Sequence, residues 1–320
     1  MHWVFDNNIS FKKRALQLFK KQSIECETYK EYIQFLGVKS ENITEIEDIP
    51  FLPISFFKNR QIKNKSKKFD LVFESSGTTG NQTSKHYIVD KKFYEYSYEK
   101  GFENFYGDIS KYRILALLPS YLEQKNSSLV YMFDKLISKS CYEQSGFFLN
   151  NFNELSNVLK EDKPTILIGV SYALLDLIDY SSFKLSNTII METGGMKGRR
   201  KEMIKSELHK ILSKGFGVSK IHSEYGMTEL LSQAYSKGDG IFVTQDWMKI
   251  LLRDPYDPLK IINTQNKTGA INIIDLANIN SCAFIATDDL GKIYDDQKFE
   301  IIGRIDQADM RGCNLLYDDN

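Results

Sequence analysis

Cysteine is scarce in this chain and scattered where it occurs: Cys26, Cys141, Cys282 and Cys313 are the four in 320 residues, and no two form a CxxC pair. That pattern argues against a structural zinc site and suits reduced thiols in a cytoplasm. Net charge is lacking altogether, because 42 Lys and Arg residues balance 42 Asp and Glu. No long-range field therefore draws in nucleic acid or an anionic membrane. No uncharged apolar run approaches the length that spans a bilayer. The opening Met1-His2-Trp3-Val4-Phe5-Asp6 lacks the basic-then-apolar order of a signal peptide. Internal repeats and low-complexity tracts are missing as well. The expectation is a soluble, cytoplasmic protein with no nucleic-acid partner and no transmembrane segment. What is present is ordinary for a globular chain: 42% hydrophobic and 26% charged residues, with length enough for one large α/β domain or two modest ones.

Residues 1–70 read as a helical N-terminal segment packed on the core. Phe11, Leu16, Leu18 and Phe19, then Tyr29, Tyr32 and Ile33, recur at roughly helical spacing until Pro50 and Pro53 break the pattern. The basic run at 58–68 reads as a solvated loop, or as a dock for phosphate or an acidic partner. From Leu71 to about 240 short apolar runs alternate with amphipathic stretches. Residues 113–118, 165–168 and 187–191 are strand candidates. Helices are expected around Leu129, Met132, Phe133, Leu136 and Ile137, through Leu174, Leu175 and Leu177, and over 199–212. Strands apolar on both faces, set between helices, predict a parallel or mixed sheet covered by helices. Residues 241–320 read as a smaller β-rich part, introduced by a turn at Asp239-Gly240 and punctuated by turns at Thr268-Gly269 and Leu290-Gly291.

Four motifs carry chemistry. Phe73-Glu74-Ser75-Ser76-Gly77-Thr78-Thr79-Gly80 follows an apolar strand, and its glycines let backbone N–H groups and hydroxyls approach an anion. It is not a Walker-type P-loop, because Gln82 stands where the second glycine would be. Lys85 follows closely and could neutralise a phosphate; the bland alternative is a surface lysine. Ile221-His222-Ser223-Glu224-Tyr225-Gly226-Met227-Thr228-Glu229 ends another strand, where ligands sit in open α/β sheets. Glu229 there offers a carboxylate and Thr228 a hydroxyl, enough for Mg²⁺, which otherwise uses water and nucleotide phosphates. The same pair serves equally well as a helix cap. Ala286-Thr287-Asp288-Asp289-Leu290-Gly291 and Ile302-Gly303-Arg304-Ile305-Asp306, followed by Arg311-Gly312, offer an aspartate for ribose hydroxyls and an arginine for phosphate or sugar oxygens. Each is also a plausible turn.

Taken in order over some 240 residues, these motifs resemble the adenylate-forming superfamily of acyl-CoA synthetases, adenylation domains and luciferases. The finer resemblance is to the LuxE-type acyl-protein synthetases of bacterial bioluminescence. It rests on Phe51-Leu52-Pro53-Ile54-Ser55-Phe56-Phe57-Lys58, the hydroxyl-glycine loop, Glu192-Thr193-Gly194-Gly195-Met196-Lys197-Gly198 and Arg311-Gly312-Cys313, and covers nearly the whole chain. It implies an α/β fold like the N-terminal domain of adenylate-forming enzymes, with a nucleotide-binding core at 71–240 and a β-rich part at 241–320. ATP and Mg²⁺ are the implied cofactors. Ser75, Ser76, Gly77, Thr78, Thr79 and Gly80 would cradle the β- and γ-phosphates with Lys85 nearby. Gly194 and Gly195 would lie along the adenine and Tyr225, followed by Gly226, would stack near it. Thr228 would touch the α-phosphate, Glu229 would hold Mg²⁺, and Asp288 would bind the ribose hydroxyls with Arg304 close by.

The implied reaction is attack of a carboxylate on the α-phosphorus of ATP, which needs positioning and charge compensation but no general base. Larger superfamily members carry a mobile C-terminal domain with a catalytic lysine after the Arg-Gly hinge. This chain stops at Asn320, so that domain is expected to be largely absent. The resemblance puts the acyl acceptor instead at Cys313, an intrinsically nucleophilic thiol beside Arg311. A carboxylic acid, fatty by resemblance, and an acyl-accepting or acyl-donating protein are the expected partners. Transfer to coenzyme A or a carrier protein is the near alternative. A non-catalytic adenylate-binding protein is a more distant one. Another is a serine acyl hydrolase, since Ile168-Gly169-Val170-Ser171-Tyr172-Ala173 imitates a nucleophile elbow with His209 and His222 downstream. His2 and His86 show no ligand spacing and read as structural or surface residues.

Overall fold

A computed structural model describes residues 2–75, 83–119, 124–149, 151–196, 199–201, 203–264, 266–294 and 298–305. The N-terminal segment supplies α1 (Phe11–Glu25), α2 (Glu27–Phe35), the short strand β1 (Leu52–Pro53) and α3 (Phe56–Asn59). Ser10 caps α1 by accepting from the Lys13 N–H. The helical face read from spacing is the buried one: Leu18, Phe19, Tyr29 and Ile33 are all inaccessible to solvent or nearly so. Phe19 and Tyr29 pack on Phe284 of the main sheet at 5.9 and 6.0 Å between ring centroids. The Tyr29 hydroxyl, buried with them, donates to the Pro50 carbonyl.

Next come the hairpin β2 (Leu71–Glu74) and β3 (Lys85–Ile88), α4 (Lys91–Tyr106), β4 (Arg113–Leu117), α5 (Ser128–Lys139), β5 (Gly146–Phe147), α6 (Phe152–Leu159), β6 (Thr165–Val170), α7 (Ser171–Tyr180), β7 (Thr188–Thr193), α8 (Lys205–Phe216) and β8 (His222–Tyr225). β4, β5, β6, β7 and β8 pair in parallel. Every residue of β4 and β6 is buried, as strands covered on both faces must be. Buried Arg113 at the start of β4 is satisfied by Thr165 and the Glu161 carbonyl. The remaining strands are β9 (Ala234–Ser236), β10 (Ile241–Val243), β11 (Met248–Arg253), β12 (Ile261–Ile262), β13 (Thr268–Asp275), β14 (Phe284–Ile293) and β15 (Lys298–Arg304). They continue the sheet antiparallel from β8, so that among the described residues one thirteen-stranded mixed sheet runs through the molecule. The direction of pairing changes at β8, next to the Tyr225-Gly226 corner.

Three local readings change. The charged helix expected over 199–212 begins at Lys205, because Arg200 is drawn instead to Asp176 and Asp179 of α7. It ends at Gly217, whose φ of +70° suits a glycine cap. Asp239 and Gly240 do form a turn, both at positive φ. Thr268-Gly269 and Leu290-Gly291 do not. They lie inside β13 and β14, where Gly269 stands opposite Gly291 beside a bulge at Leu290/Gly291. A Cβ on Gly291 would lie 2.5 Å from the Glu300 carbonyl, so glycine here permits close strand approach rather than a turn.

Candidate active site

The carboxyl ends of β7 and β8 open into a cavity of about 770 Å³. Strand ends at such a switch in sheet direction are where α/β folds bind ligands. The cavity wall includes Ser75, Gly194, Gly226, Thr228 and Arg304, five of the expected residues, drawn from four motifs far apart in the chain. Ser76, Gly77, Thr78, Thr79 and Gly80 lie outside the described residues, as do Arg311, Gly312 and Cys313. Ser75, the last described residue before that loop, is tied across it: its N–H donates to the Ser84 carbonyl and its Oγ accepts from the Ser84 N–H at 2.9 Å. Lys85 pairs with Glu74 at 3.4 Å at the base of the hairpin. It is half-exposed, and Glu74 rather than Lys85 reaches the cavity wall.

Gly194 has a φ of +67°, a left-handed backbone that a side chain would strain. A Cβ on Gly195 would meet nothing within 4 Å, so open space lies beside that backbone. Tyr225 packs on both Phe242 and Phe299, at 5.8 and 5.7 Å, and donates its hydroxyl to Asp289 Oδ2 at 2.7 Å. Burial and the Asp289 charge push its phenol well above the ordinary range. Arg304 Nε approaches the same carboxylate at 3.5 Å. The carboxylate at this cluster is thus Asp289, not Asp288. Consecutive residues of a strand face opposite ways, and the Asp288 charge is felt by Arg253 on the other side of the sheet.

The loop carrying Thr228 and Glu229 is held from below. His86, wholly buried, bonds the Thr228 carbonyl through Nδ1 and the Ser281 hydroxyl through Nε2, both at 2.9 Å. Asn278 Nδ2 donates to the Glu229 carbonyl. Asp275 accepts from the N–H groups of Leu231 and Ser232, from the Ser232 hydroxyl and from the Ala277 N–H. Glu229 itself is buried behind Thr228; burial pushes its carboxyl up, opposed by a hydrogen bond from Ser84 and by the charges of Lys58 and Arg304. A desolvated carboxylate with no directly bound cation among the described residues would suit a hard divalent ion that needs only one protein ligand.

Spacing alone did not reveal two buried carboxyls at the strand ends. Burial opposes ionisation of Glu192, yet His209, Lys205 and Ser223 hold it down at about 2. Ser171 donates to this same carboxylate at 3.3 Å and touches neither histidine. His209 sits on Glu192, and His222 on the Tyr106 hydroxyl. The elbow motif therefore has no base on its serine, and its serine is buried. Glu224, by contrast, lines the cavity, and burial pushes its carboxyl up to about 7 against a 2.5 Å hydrogen bond from Thr193. A Cβ on Gly226 would lie 2.5 Å from Glu224 Oε1, so glycine leaves this carboxyl room to stand where it does.

These groups set opposite pH slopes. Glu224 holds its proton more tightly folded than unfolded, so its contribution to stability falls as pH rises between about 4.5 and 7. His86, pushed down to about 4 by burial, does the reverse, losing stability as pH falls from 6.5 to 4. Glu224→Gln should therefore match wild type near pH 4.5 and become more stable than it toward pH 8, by on the order of 3 kcal/mol. Thermal melts across that range would show the gap. A constant gap would contradict the assigned burial.

Comparison with known proteins places the chain in a family. The family model described as acyl-protein synthetase, LuxE, matches residues 1–93 and 122–320. This chain belongs to that family. A relative of the LuxE-family chain, the long-chain-fatty-acid–luciferin-component ligase of Photorhabdus luminescens, is 40% identical over 70 residues. That match covers 22% of this chain and 60% of the relative, less than two thirds of its length. Among solved structures, 2-hydroxyisobutyryl-CoA ligase in complex with 2-HIB-AMP and CoA superposes with a TM-score of 0.70 at 13% identity, over 93% of this chain and 68% of that one. The O-succinylbenzoate coenzyme A synthetase of Bacillus subtilis, in complex with ATP and magnesium ion, gives 0.51 at 16% identity over 73% of this chain and 49% of that one. At such identities these likenesses show the fold alone, an α/β architecture shared with those ligases. Among the described residues no helix is long and apolar enough to cross a membrane.

Proposed function

We propose that this LuxE-family chain activates a carboxylic acid as its acyl-adenylate and passes the acyl group to a protein thiol, its own Cys313 first. The observation that carries the reading is the convergence of Ser75, Gly194, Gly226, Thr228 and Arg304 on one cavity at the carboxyl ends of β7 and β8. A carboxylate oxygen attacks the α-phosphorus of ATP, the bond to the bridging oxygen of the β-phosphate breaks, and pyrophosphate leaves. The chain would supply position and charge: Ser75 and the hydroxyl-glycine residues after it would cradle the β- and γ-phosphates, Lys85 would reinforce that edge, and Thr228 would meet the α-phosphate. Gly194 and Gly195 leave room for the base. Asp289, anchored by Tyr225 and Arg304, is better placed than Asp288 for the ribose hydroxyls. Mg²⁺, held by Glu229, would neutralise charge on the phosphates.

In the second step the Cys313 thiolate attacks the acyl carbonyl. The bond to the adenylate oxygen breaks, AMP leaves, and the thiol proton goes to solvent. The family is named for acyl transfer to protein, and this favours a protein thiol over coenzyme A. Incubation with ATP, Mg²⁺ and labelled acid should give a hydroxylamine-sensitive acyl-protein band in wild type. Cys313→Ser should lose the band while retaining acid-dependent pyrophosphate exchange. Equal labelling of the two proteins would remove Cys313 from the pathway; no exchange by either would remove adenylation.

A further inference from the structure

The geometry points to an acid substrate that carries a hydrogen-bond donor, a hydroxyl or an ammonium, on its chain, received by Glu224 and Gln233; this rests on the adenylation reading above. Strand pairing builds the receiving surface. Tyr225 of β8 stands opposite Ala234 of β9, which sets Glu224 and Gln233 on the two sides of the Gly226 corner. Both line the cavity, together with Leu129, Met132 and Met227. Glu224 Oε2 is taken by the Thr193 hydroxyl, whereas Oε1 is aimed at the space over Gly226 with no hydrogen-bond donor among the described residues. Gln233 Oε1 is buried and has no partner either. Two unpartnered acceptors, that of Gln233 buried, therefore border one apolar patch, and among the described residues no group donates to either.

Buried acceptors left dry are costly, and binding an unsubstituted acyl chain would leave them so. A site built to receive an O–H or N–H rejects the analogue without it far more strongly than an apolar pocket rejects an extra methylene. A hydroxyl satisfies either ionisation state of Glu224, an ammonium only the carboxylate. The charged and titratable groups around that carboxyl are Glu192 on β7, Lys205 on α8, Tyr94 and Tyr106 on α4, and Tyr235 on β9.

The test is ATP–pyrophosphate exchange at pH 8 with hexanoate and with hexanoates bearing a hydroxyl or an amine at each successive carbon. Calorimetric binding of the same acids runs in parallel. Wild type should favour at least one donor-bearing acid over hexanoate by about 100-fold or more in kcat/KM. In Glu224→Ala that ratio should fall below about tenfold. Glu224→Gln, the safer fold, should keep a hydroxyl preference and lose an ammonium one. Hexanoate as good as every derivative in wild type, or a ratio unchanged in Glu224→Ala, would overturn the proposal while leaving adenylation standing. Glu224-dependent binding of a donor-bearing acid without exchange would sink adenylation and support the pocket. Absence of both binding and exchange would overturn the two together.

Discussion

Glu229→Gln should lower acid-dependent ATP–pyrophosphate exchange by about 100-fold or more while leaving the protein at least as stable as wild type. The two halves of that expectation have one cause. Glu229 is buried, and among the described residues its carboxyl is opposed in its upward push only by hydrogen bonds from Ser84 and its own backbone N–H and by the charges of Lys58 and Arg304. Its carboxylate form is held in a poorly solvated place without a directly bound cation, so an isosteric amide removes a penalty from the resting fold. In the proposed role the same amide, neutral, would hold a divalent ion far more weakly, and charge on the phosphates would be less compensated when pyrophosphate departs. Losing one preorganised electrostatic partner of this kind costs 10²- to 10³-fold in other enzymes. Exchange rates at several Mg²⁺ concentrations, with melting curves beside them, check both halves. Near-normal exchange in the variant would reassign the metal to another group. Lost activity with lost stability would make Glu229 a structural residue.

Asp275→Ala should be the most destabilising of the substitutions considered. Both oxygens of this wholly buried carboxyl are used, receiving three backbone N–H groups and one hydroxyl. Burial pushes the carboxyl up to about 6 in spite of those bonds. Removal strands the Leu231, Ser232 and Ala277 amides where no water replaces the acceptor, at about 1–3 kcal/mol each, for an expected loss of about 3–5 kcal/mol. Because Leu231 and Ser232 stand two and three residues after Glu229, the loop bearing Thr228 and Glu229 loses its anchor, and exchange should fall with stability. Asp275→Asn keeps one acceptor oxygen and should fall between. Denaturant unfolding of the three proteins gives the ordering. An alanine variant within about 1 kcal/mol of wild type would contradict the anchoring role.

Much of the fold was legible in the sequence because the parallel strands are apolar on both faces and sit between amphipathic helices. The spans read at 113–118, 165–168 and 187–191 fall on β4, β6 and β7. What could not be read depends on partners far away in the chain. Thr268-Gly269 and Leu290-Gly291 look like turns until β13 and β14 are paired, when the glycines face each other beside a bulge. Asp288 and Asp289 are equivalent in a motif; strand alternation and the Tyr225 hydroxyl give them different surroundings. Glu224 sits inside a motif already singled out, but its placement against Thr193 and over Gly226 follows from the register of β7 on β8. The stretch from Gln124 to Met132 that closes the cavity carries no motif at all, and reaches it because the Glu74 N–H bonds the Asn126 carbonyl.

The central claim is that the acid is activated by transfer to the α-phosphate. The most direct measurement follows an ¹⁸O label from the carboxylate through one full turnover. Acyl-adenylate formation followed by attack at the acyl carbon should leave one labelled oxygen in AMP. Label in inorganic phosphate, with ADP as the nucleotide product, would mean attack at the γ-phosphorus and would contradict it.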